Sequence, residues 1–329
     1  MIETIYVEEA VRAHPRVRAI LARFAKATIV PITRYGEVFN RNQQSFRLQK
    51  KIPSLILAEK KSNQVLPAPE GYGIGSVLNF YFSHVLNCLY DCRYCFLQGM
   101  YRSAHYVLFV NYEDFQESIA ETVEAHPGEE VYFFSGYDGD SLALESITGF
   151  VEAFLPFMAR HPRAVLELRT KSAAVQPLVN LEPLENVVVA FSFTPHAASE
   201  SLEHGVPPIT VRLKAMARLA EKGFRLGLRF DPLLYAKDYR DHYRGLFQNV
   251  LGAIKVDALH SVSFGPFRMP RDYFQRMRKL YPEEKLFAGP LEESSLVSYA
   301  SELEAEMRAF CEAELSQLVP ASILFPCRV

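Results

Sequence analysis

Three thiols within one short stretch are the densest chemistry in this chain. Cys88, Cys92 and Cys95 stand in Asn87-Cys88-Leu89-Tyr90-Asp91-Cys92-Arg93-Tyr94-Cys95-Phe96. The pattern is Cys-x-x-x-Cys-x-x-Cys, with an aromatic residue before the last cysteine. Three thiolates on one loop can hold three irons of a cubic 4Fe–4S cluster, which leaves the fourth iron without a protein ligand. An open iron invites chemistry rather than electron storage, because a small molecule can chelate it. A structural zinc site would ask for four ligands, often as two Cys-x-x-Cys pairs. No second pair exists, and the nearby candidate for a fourth ligand is His84. Disulfides are disfavoured in a cytosolic chain. The other two cysteines are Cys311, set among apolar residues as a core position would be, and Cys327, near the end of the sequence.

Further polar candidates sit where apolar runs stop. Lys171 follows one such run, where a lysine can mark a strand's exit into water or hold an anion. Ser192 lies between Phe191 and Phe193 and so points to the face opposite theirs. That suits a small polar group facing a barrel interior, or a serine bonded to backbone. The segment Ser135-Gly136-Tyr137-Asp138-Gly139-Asp140 contains two glycines, which let backbone approach a ligand closely. Carbonyls of Gly136 or Tyr137 are candidate ligand contacts, and Asp138 or Asp140 could accept from an ammonium; Asp140 also stands where an N-cap is wanted. Arg229 and Asp231, in Arg-Phe-Asp-Pro, could pair with each other or reach a substrate.

These residues need elements to hold them. Apolar runs that read as buried strands fall at 76–82, 131–134, 165–169, 187–193, 224–230 and 259–264. Helical patterns fall between them at 114–124, 141–159, 210–222 and 239–254. Short strands alternating with longer helices predict a parallel sheet with helical crossovers. Six such units form a partial (β/α)6 barrel, whose functional groups sit at the C-terminal strand ends. The cysteine loop follows the first strand. Residues 1–70 form an N-terminal α/β extension: a helical stretch at 7–26, apolar runs at 28–32 and 54–58, and a basic segment at 41–51. Pro67-Ala68-Pro69-Glu70-Gly71 reads as a linker or turn. The barrel then covers 71–285, and a helical C-terminal segment covers 286–329.

Composition bounds the partners. The chain has 329 residues, 49% hydrophobic and 22% charged, which suits a large core. No signal peptide is expected from residues 1–12, which lack an apolar stretch. No apolar run approaches a membrane span of about 20 residues. The expectation is a cytoplasmic protein that does not engage membrane. The net charge of −2 lowers the expectation of a dedicated duplex-DNA binder, since phosphate contacts carry much of such affinity. A local basic strip at Arg268, Arg271, Arg276, Arg278 and Lys279 is the candidate nucleic-acid contact.

The cysteine spacing resembles the signature of the radical S-adenosylmethionine (radical SAM) superfamily. Within it, residues 75–282 resemble the spore photoproduct lyase family. The resemblance rests on Cys92-Arg93-Tyr94-Cys95-Phe96-Leu97-Gln98, the segment 140–148, Arg169-Thr170-Lys171, Phe191-Ser192 and Lys222-Gly223-Phe224-Arg225-Leu226-Gly227. It implies that Cys88, Cys92 and Cys95 bind a 4Fe–4S cluster whose open iron takes the amino and carboxylate groups of S-adenosylmethionine. One electron would then cleave that cofactor and leave a deoxyadenosyl radical. It implies that Lys171 and Ser192 contact S-adenosylmethionine and that Tyr94 lies close to it, with Gly136 and Asp138 at the place that usually meets the methionine amino group. It also implies a thymine-dimer lesion in damaged DNA as substrate, and an electron donor such as flavodoxin or ferredoxin.

The chain departs from that family in three places. The loop after the second strand carries no hydrogen-donating cysteine; Tyr137 falls at or near its position. Phe96 replaces a tyrosine of the family's radical relay, and the basic aromatic C-terminal segment is absent. Tyr137 and Cys327 are then the candidate hydrogen donors. Two alternatives stand beside lesion repair: the same radical chemistry on an RNA, a peptide or a small metabolite, and a non-catalytic iron–sulfur protein.

Overall fold

The computed structural model describes residues 2–327. Six strands pair in parallel and in chain order: Asn79–Phe82, Val131–Phe134, Ala164–Thr170, Val187–Ser192, Arg225–Leu233 and Leu259–Pro266. Every residue of Val131–Phe134 and of Val187–Ser192 is buried. Both faces of this sheet are covered, which is why these strands read as unbroken apolar runs rather than alternating ones. Val65–Pro67 adds antiparallel to the first strand and Leu324–Pro326 adds parallel to the sixth. The result is a curled eight-stranded half-barrel, the partial barrel expected.

The crossover helices follow the expected pattern with one correction. Ile209–Lys222 buries Ile209, Arg212, Ala215, Met216 and Leu219, one face of a 3.6-residue repeat. It ends at Gly223, whose left-handed φ of 100° closes the last turn. The helix expected over 141–159 is broken. A short turn at Glu145–Thr148 stops at Gly149 (φ 57°), and the chain restarts as Phe150–Ala159. Glu145 makes the break tolerable, because its carboxylate accepts from the amides of Phe150 (3.2 Å) and Val151 (3.0 Å).

The front piece differs more. The helix expected over 7–26 begins inside a strand, Thr4–Glu8, passes through a single 3-10 turn at Glu9–Val11 and becomes α-helical only at Pro15–Arg23. β-Branched and aromatic residues in Thr4-Ile5-Tyr6-Val7 favour the strand, which pairs in parallel with Thr28–Ile32 on one side and Leu55–Ala58 on the other. Tyr106–Phe109 and Val85–Leu86 complete this five-stranded sheet. Two of its strands thus come from beyond residue 70, and the last of them leads directly into the cysteine loop.

The C-terminal segment carries the helix Ser301–Ser316, with Cys311 fully buried in the core. It also supplies Leu291–Glu293 and Leu296–Tyr299, which pair with Arg268–Pro270 as a small antiparallel sheet. Among the described residues no helix is long and apolar enough to cross a membrane.

Candidate active site

The cysteine loop is held from all sides. Asn87 takes a left-handed φ of 69°, which asparagine tolerates better than most residues. Its side-chain amide donates to the carbonyls of Ser103 (2.8 Å) and His105 (2.7 Å). Lys50 donates to the carbonyls of Cys88 (3.0 Å) and Tyr90 (3.2 Å). Asp91–Cys92 pairs antiparallel with Glu203–His204, and the Arg93 amide donates to Leu202 (2.8 Å). The Arg93 guanidinium meets Asp91 and Glu284 at 3.2 Å each and stacks on the Tyr281 ring at 3.5 Å. The loop then enters Leu97–Met100, where a Cβ on Gly99 would collide with the Tyr273 backbone.

All three thiols line one cavity of about 530 Å³. Burial pushes the Cys88 thiol up to about 12 and raises those of Cys92 and Cys95 as well. Metal ligation needs thiolates, so a bound cation would have to add to the partial compensation that Lys50 and Lys171 already give. Among the described residues no three His, Cys, Asp or Glu side chains are gathered to hold a single metal ion. A 4Fe–4S cluster is larger than one ion and takes its thiols further apart. His84 is no fourth ligand. It stacks on Phe150 at 3.8 Å, and burial lowers its pKa to about 3. Three thiols from one loop facing a shared cavity fit a 4Fe–4S cluster with one iron left to another ligand.

The opposite wall is built from C-terminal strand ends, as barrel geometry requires. Gly136 is needed at its position, since a Cβ would stand 2.9 Å from the Arg169 carbonyl. Tyr137 lines the cavity with its ring 4.4 Å from that of Tyr81 and 5.7 Å from that of Phe96, and burial lifts its phenol to about 12. Lys171 and Ser192 both reach the cavity. The Lys171 ammonium lies 5.5 Å from the Tyr94 ring and has no hydrogen-bond or ion-pair partner among the described residues. Cys327 also lines the cavity. Its sulfur is 4.0 Å from Asp231 Oδ2, and burial, then the Asp231 charge, pushes its thiol up to about 12.

One expectation and one of two open alternatives fail here, although Asp231 does line the cavity. Asp138 does not line the cavity; in the bend at 137–139 its side chain turns away to bond Ser83 and Tyr101, where its carboxylate finds hydroxyl donors. Arg229 and Asp231 do not pair with each other, since residues two apart on a strand share a face but lie along it rather than across from each other. Arg229 pairs instead with Glu167 (2.7 Å), and Asp231 with Arg169 (3.6 Å). Asp140 holds the turn that follows it rather than capping a helix, which starts only at Glu145 behind Leu144: it accepts from Leu142 (3.0 Å), Ala143 (2.9 Å), Thr170 (2.6 Å) and the Lys171 amide (2.6 Å). The basic strip is not one free face either. Arg268 lines the cavity, Arg271 and Arg278 face Glu293 (3.9 and 3.0 Å), and Arg276 donates to the Met100 carbonyl.

Sequence reasoning missed Arg169, Tyr72 and Lys50 as parts of this wall. Arg169 donates to Tyr72 (2.8 Å) and Ser192 (3.4 Å) beside its contact with Asp231. The signal was available for Arg169, which shares strand parity with Lys171 and therefore its face. Nothing local marks Lys50 or Tyr72, which arrive from the front piece and its turn.

Known proteins agree with this geometry. The family model described as spore photoproduct lyase matches residues 80–293. Spore photoproduct lyase of Bacillus subtilis (strain 168) is 23% identical over 202 residues, 60% of this chain and 59% of that protein. The enzyme of the same name from Geobacillus sp. (strain Y412MC61) is 22% identical over 202 residues, with the same coverage. The match thus spans about three-fifths of the length of these curated relatives. Among solved structures, a spore photoproduct lyase double mutant with bound AdoMet and dinucleoside spore photoproduct superposes with a TM-score of 0.87 at 16% identity, covering 100% of this chain and 98% of that one. A spore photoproduct lyase complexed with dinucleoside spore photoproduct gives 0.84 at 16% identity, with the same coverage. By its cysteine loop, its partial barrel and its match over residues 80–293, the chain belongs to the spore photoproduct lyase family of the radical SAM superfamily.

Proposed function

We propose that this chain is a radical SAM enzyme of lyase type that acts on a thymine-dimer lesion in DNA. The observation that carries the reading is the convergence of three thiols and an unpaired Lys171 ammonium on one cavity. Cys88, Cys92 and Cys95 would hold the 4Fe–4S cluster. When bound, the cluster supplies the electron that turns S-adenosylmethionine into a source of deoxyadenosyl radical.

The chain's own residues bind, orient and shield that cofactor. Lys171 offers a free cation for its carboxylate. Ser192 and Arg169 offer donors beside it, and the Gly136 backbone offers close approach. Tyr94, beneath Cys92 and Cys95, packs against the same site. A cavity walled by buried rings excludes water from a reactive radical. Tyr137 and Cys327 both face the cavity in their neutral forms, so each retains a hydrogen atom that a product radical can take. A flavodoxin or ferredoxin would supply the electron in a reducing cytoplasm.

A second reading keeps the radical chemistry and changes the substrate to an RNA, a peptide or a small metabolite. Pairing of Arg271 and Arg278 with Glu293 favours it, because cations neutralised internally contribute less to phosphate binding. A purely structural cluster would have no use for an unpaired lysine beside it.

The test is anaerobic. Reconstituted protein, S-adenosylmethionine and a reductant are incubated with an oligonucleotide carrying the spore photoproduct, and thymine and deoxyadenosine are quantified. Restored thymine supports repair. Deoxyadenosine without thymine supports the second reading. Absence of both from a cluster-loaded chain overturns both.

A further inference from the structure

Two consecutive residues of the cysteine loop are anchored in opposite directions. Arg93 reaches outward to Asp91, Glu284 and Tyr281. Tyr94 reaches inward and donates its hydroxyl to the Glu203 carboxylate. That carboxylate is fully buried. It also accepts from Thr194 (3.0 Å) and Ser199 (2.7 Å), and it pairs with Arg212 at 2.8 Å. Arg212 has no exposed surface; it also donates to the Ser192 carbonyl (2.9 Å) and the Ser199 hydroxyl (3.0 Å), while its Nε has no partner among the described residues.

A buried ion pair is weak evidence for stability, because desolvating two charges offsets their attraction; two apolar residues of similar size often serve the fold as well. Arg212 interrupts the otherwise apolar face of the helix Ile209–Lys222, so the fold itself does not ask for it. Glu203 has four donors and no vacant acceptor for a substrate. What the pair does is join parts. The Glu203 backbone pairs with Cys92. Its side chain holds Tyr94, between Cys92 and Cys95. Arg212 holds the end of the strand that carries Ser192. Lys171 stands over Tyr94 from the third barrel strand, 5.5 Å away.

We propose that the Glu203–Arg212 pair is a positioning hub, fixing the thiols of Cys92 and Cys95 relative to Lys171 and Ser192 so that cluster loop and cofactor-binding strand ends move as one unit. The idea rests on the cluster and cofactor assignments above. Neither residue touches a reacting atom; both act through Tyr94 and the strand ends.

The test uses the full chain and three variants: Tyr94→Phe, Glu203→Gln and Glu203→Leu. In the cluster-free chain, alkylation rates of the loop thiols are compared with that of Cys311, which reports global opening. Removing a hydrogen bond to a charged acceptor should speed loop alkylation roughly tenfold in Tyr94→Phe with Cys311 unmoved. Glu203→Gln, which keeps an acceptor for Tyr94, should fall between wild type and Glu203→Leu. After reconstitution, iron content and the electron paramagnetic resonance spectrum of the reduced cluster are recorded with and without S-adenosylmethionine. The spectral change on adding that cofactor should shrink in all three variants. Wild-type alkylation, iron content and spectra in Tyr94→Phe and Glu203→Gln would overturn the proposal, whether or not Glu203→Leu folds. A wild-type chain that takes up no iron defeats the cluster assignment instead, and the alkylation rates still decide the anchoring.

Discussion

Two arginine–carboxylate pairs lie one above the other inside the half-barrel, made from the same two strands with their partners exchanged. In the lower pair the acid, Glu167, is on the third strand and the arginine, Arg229, on the fifth; in the upper pair Arg169 is on the third and Asp231 on the fifth. The lower pair is closed. Arg229 meets both oxygens of Glu167 (3.3 and 2.7 Å), the carbonyls of Leu228 and Ser261, and the Ser261 hydroxyl, and both side chains are at most 2% exposed. Gly227 makes room for it, since a Cβ there would stand 2.7 Å from the guanidinium. The upper pair is open, at 3.6 Å, with both side chains about one-fifth exposed to the cavity. Identical chemistry two residues apart thus makes a closed plug below and a cavity-facing pair above. The difference lies in how many donors are already spoken for.

Breaking the lower pair should have the largest effect. Arg229→Leu leaves Glu167 charged and alone, and should lower stability by about 3–5 kcal/mol, read from the denaturant midpoint. Replacing both members with methionine should recover most of that loss. A single-variant cost near zero would erase the contrast between the two layers. A buried histidine whose Nδ1 has no hydrogen-bond partner among the described residues sharpens the same point. His84 is held neutral, its pKa lowered by burial from 6.5 to about 3. The unfolded chain therefore takes the proton first as pH falls. The His84 contribution is whole above about pH 6.5 and is lost progressively toward pH 3. His84→Phe should flatten that acid limb by about 2 kcal/mol at pH 5, measured by thermal unfolding across pH.

The upper pair should behave differently. Arg169→Gln should cost about 1 kcal/mol of stability or less, yet weaken S-adenosylmethionine binding roughly tenfold in titration calorimetry of the reconstituted protein. A large stability loss with unchanged affinity would make the upper pair a second plug. The smallest effect is expected from Asp231→Asn. Removing that charge should let Cys327 ionise at lower pH, visible in its alkylation profile, while burial keeps it above an ordinary thiol.

The contrast also explains what could be read from sequence. The six barrel strands were legible because both their faces are buried and the runs are unbroken. The cysteine loop was legible because its three thiols lie within eight consecutive residues, 88–95. Arg229 and Asp231 were visible as residues but not as partners, since their true partners, Glu167 and Arg169, lie some sixty positions earlier, across an intervening strand. The first strand, Thr4–Glu8, was hidden because a short alternating run beside a helix takes its structure from neighbours not adjacent in sequence. Glu203 and Arg212 gave no signal, since a buried charge inside an apolar helix face and an acid in a loop look like surface residues until their contact is known. Asp138 misled because its neighbours Tyr137 and Gly139 do line the cavity.

The pairing of Cys92 with Glu203 joins positions 111 residues apart in the chain (203 − 92 = 111). Such a contact is reached late, because the entropy of closing a long loop has to be met before the contact forms. Until the fourth barrel strand and the turn after it are in place, the cysteine loop has no inner wall and its thiols stand open to oxidants and stray metals. A cluster held by this loop would then be inserted after the half-barrel has folded rather than nucleate it.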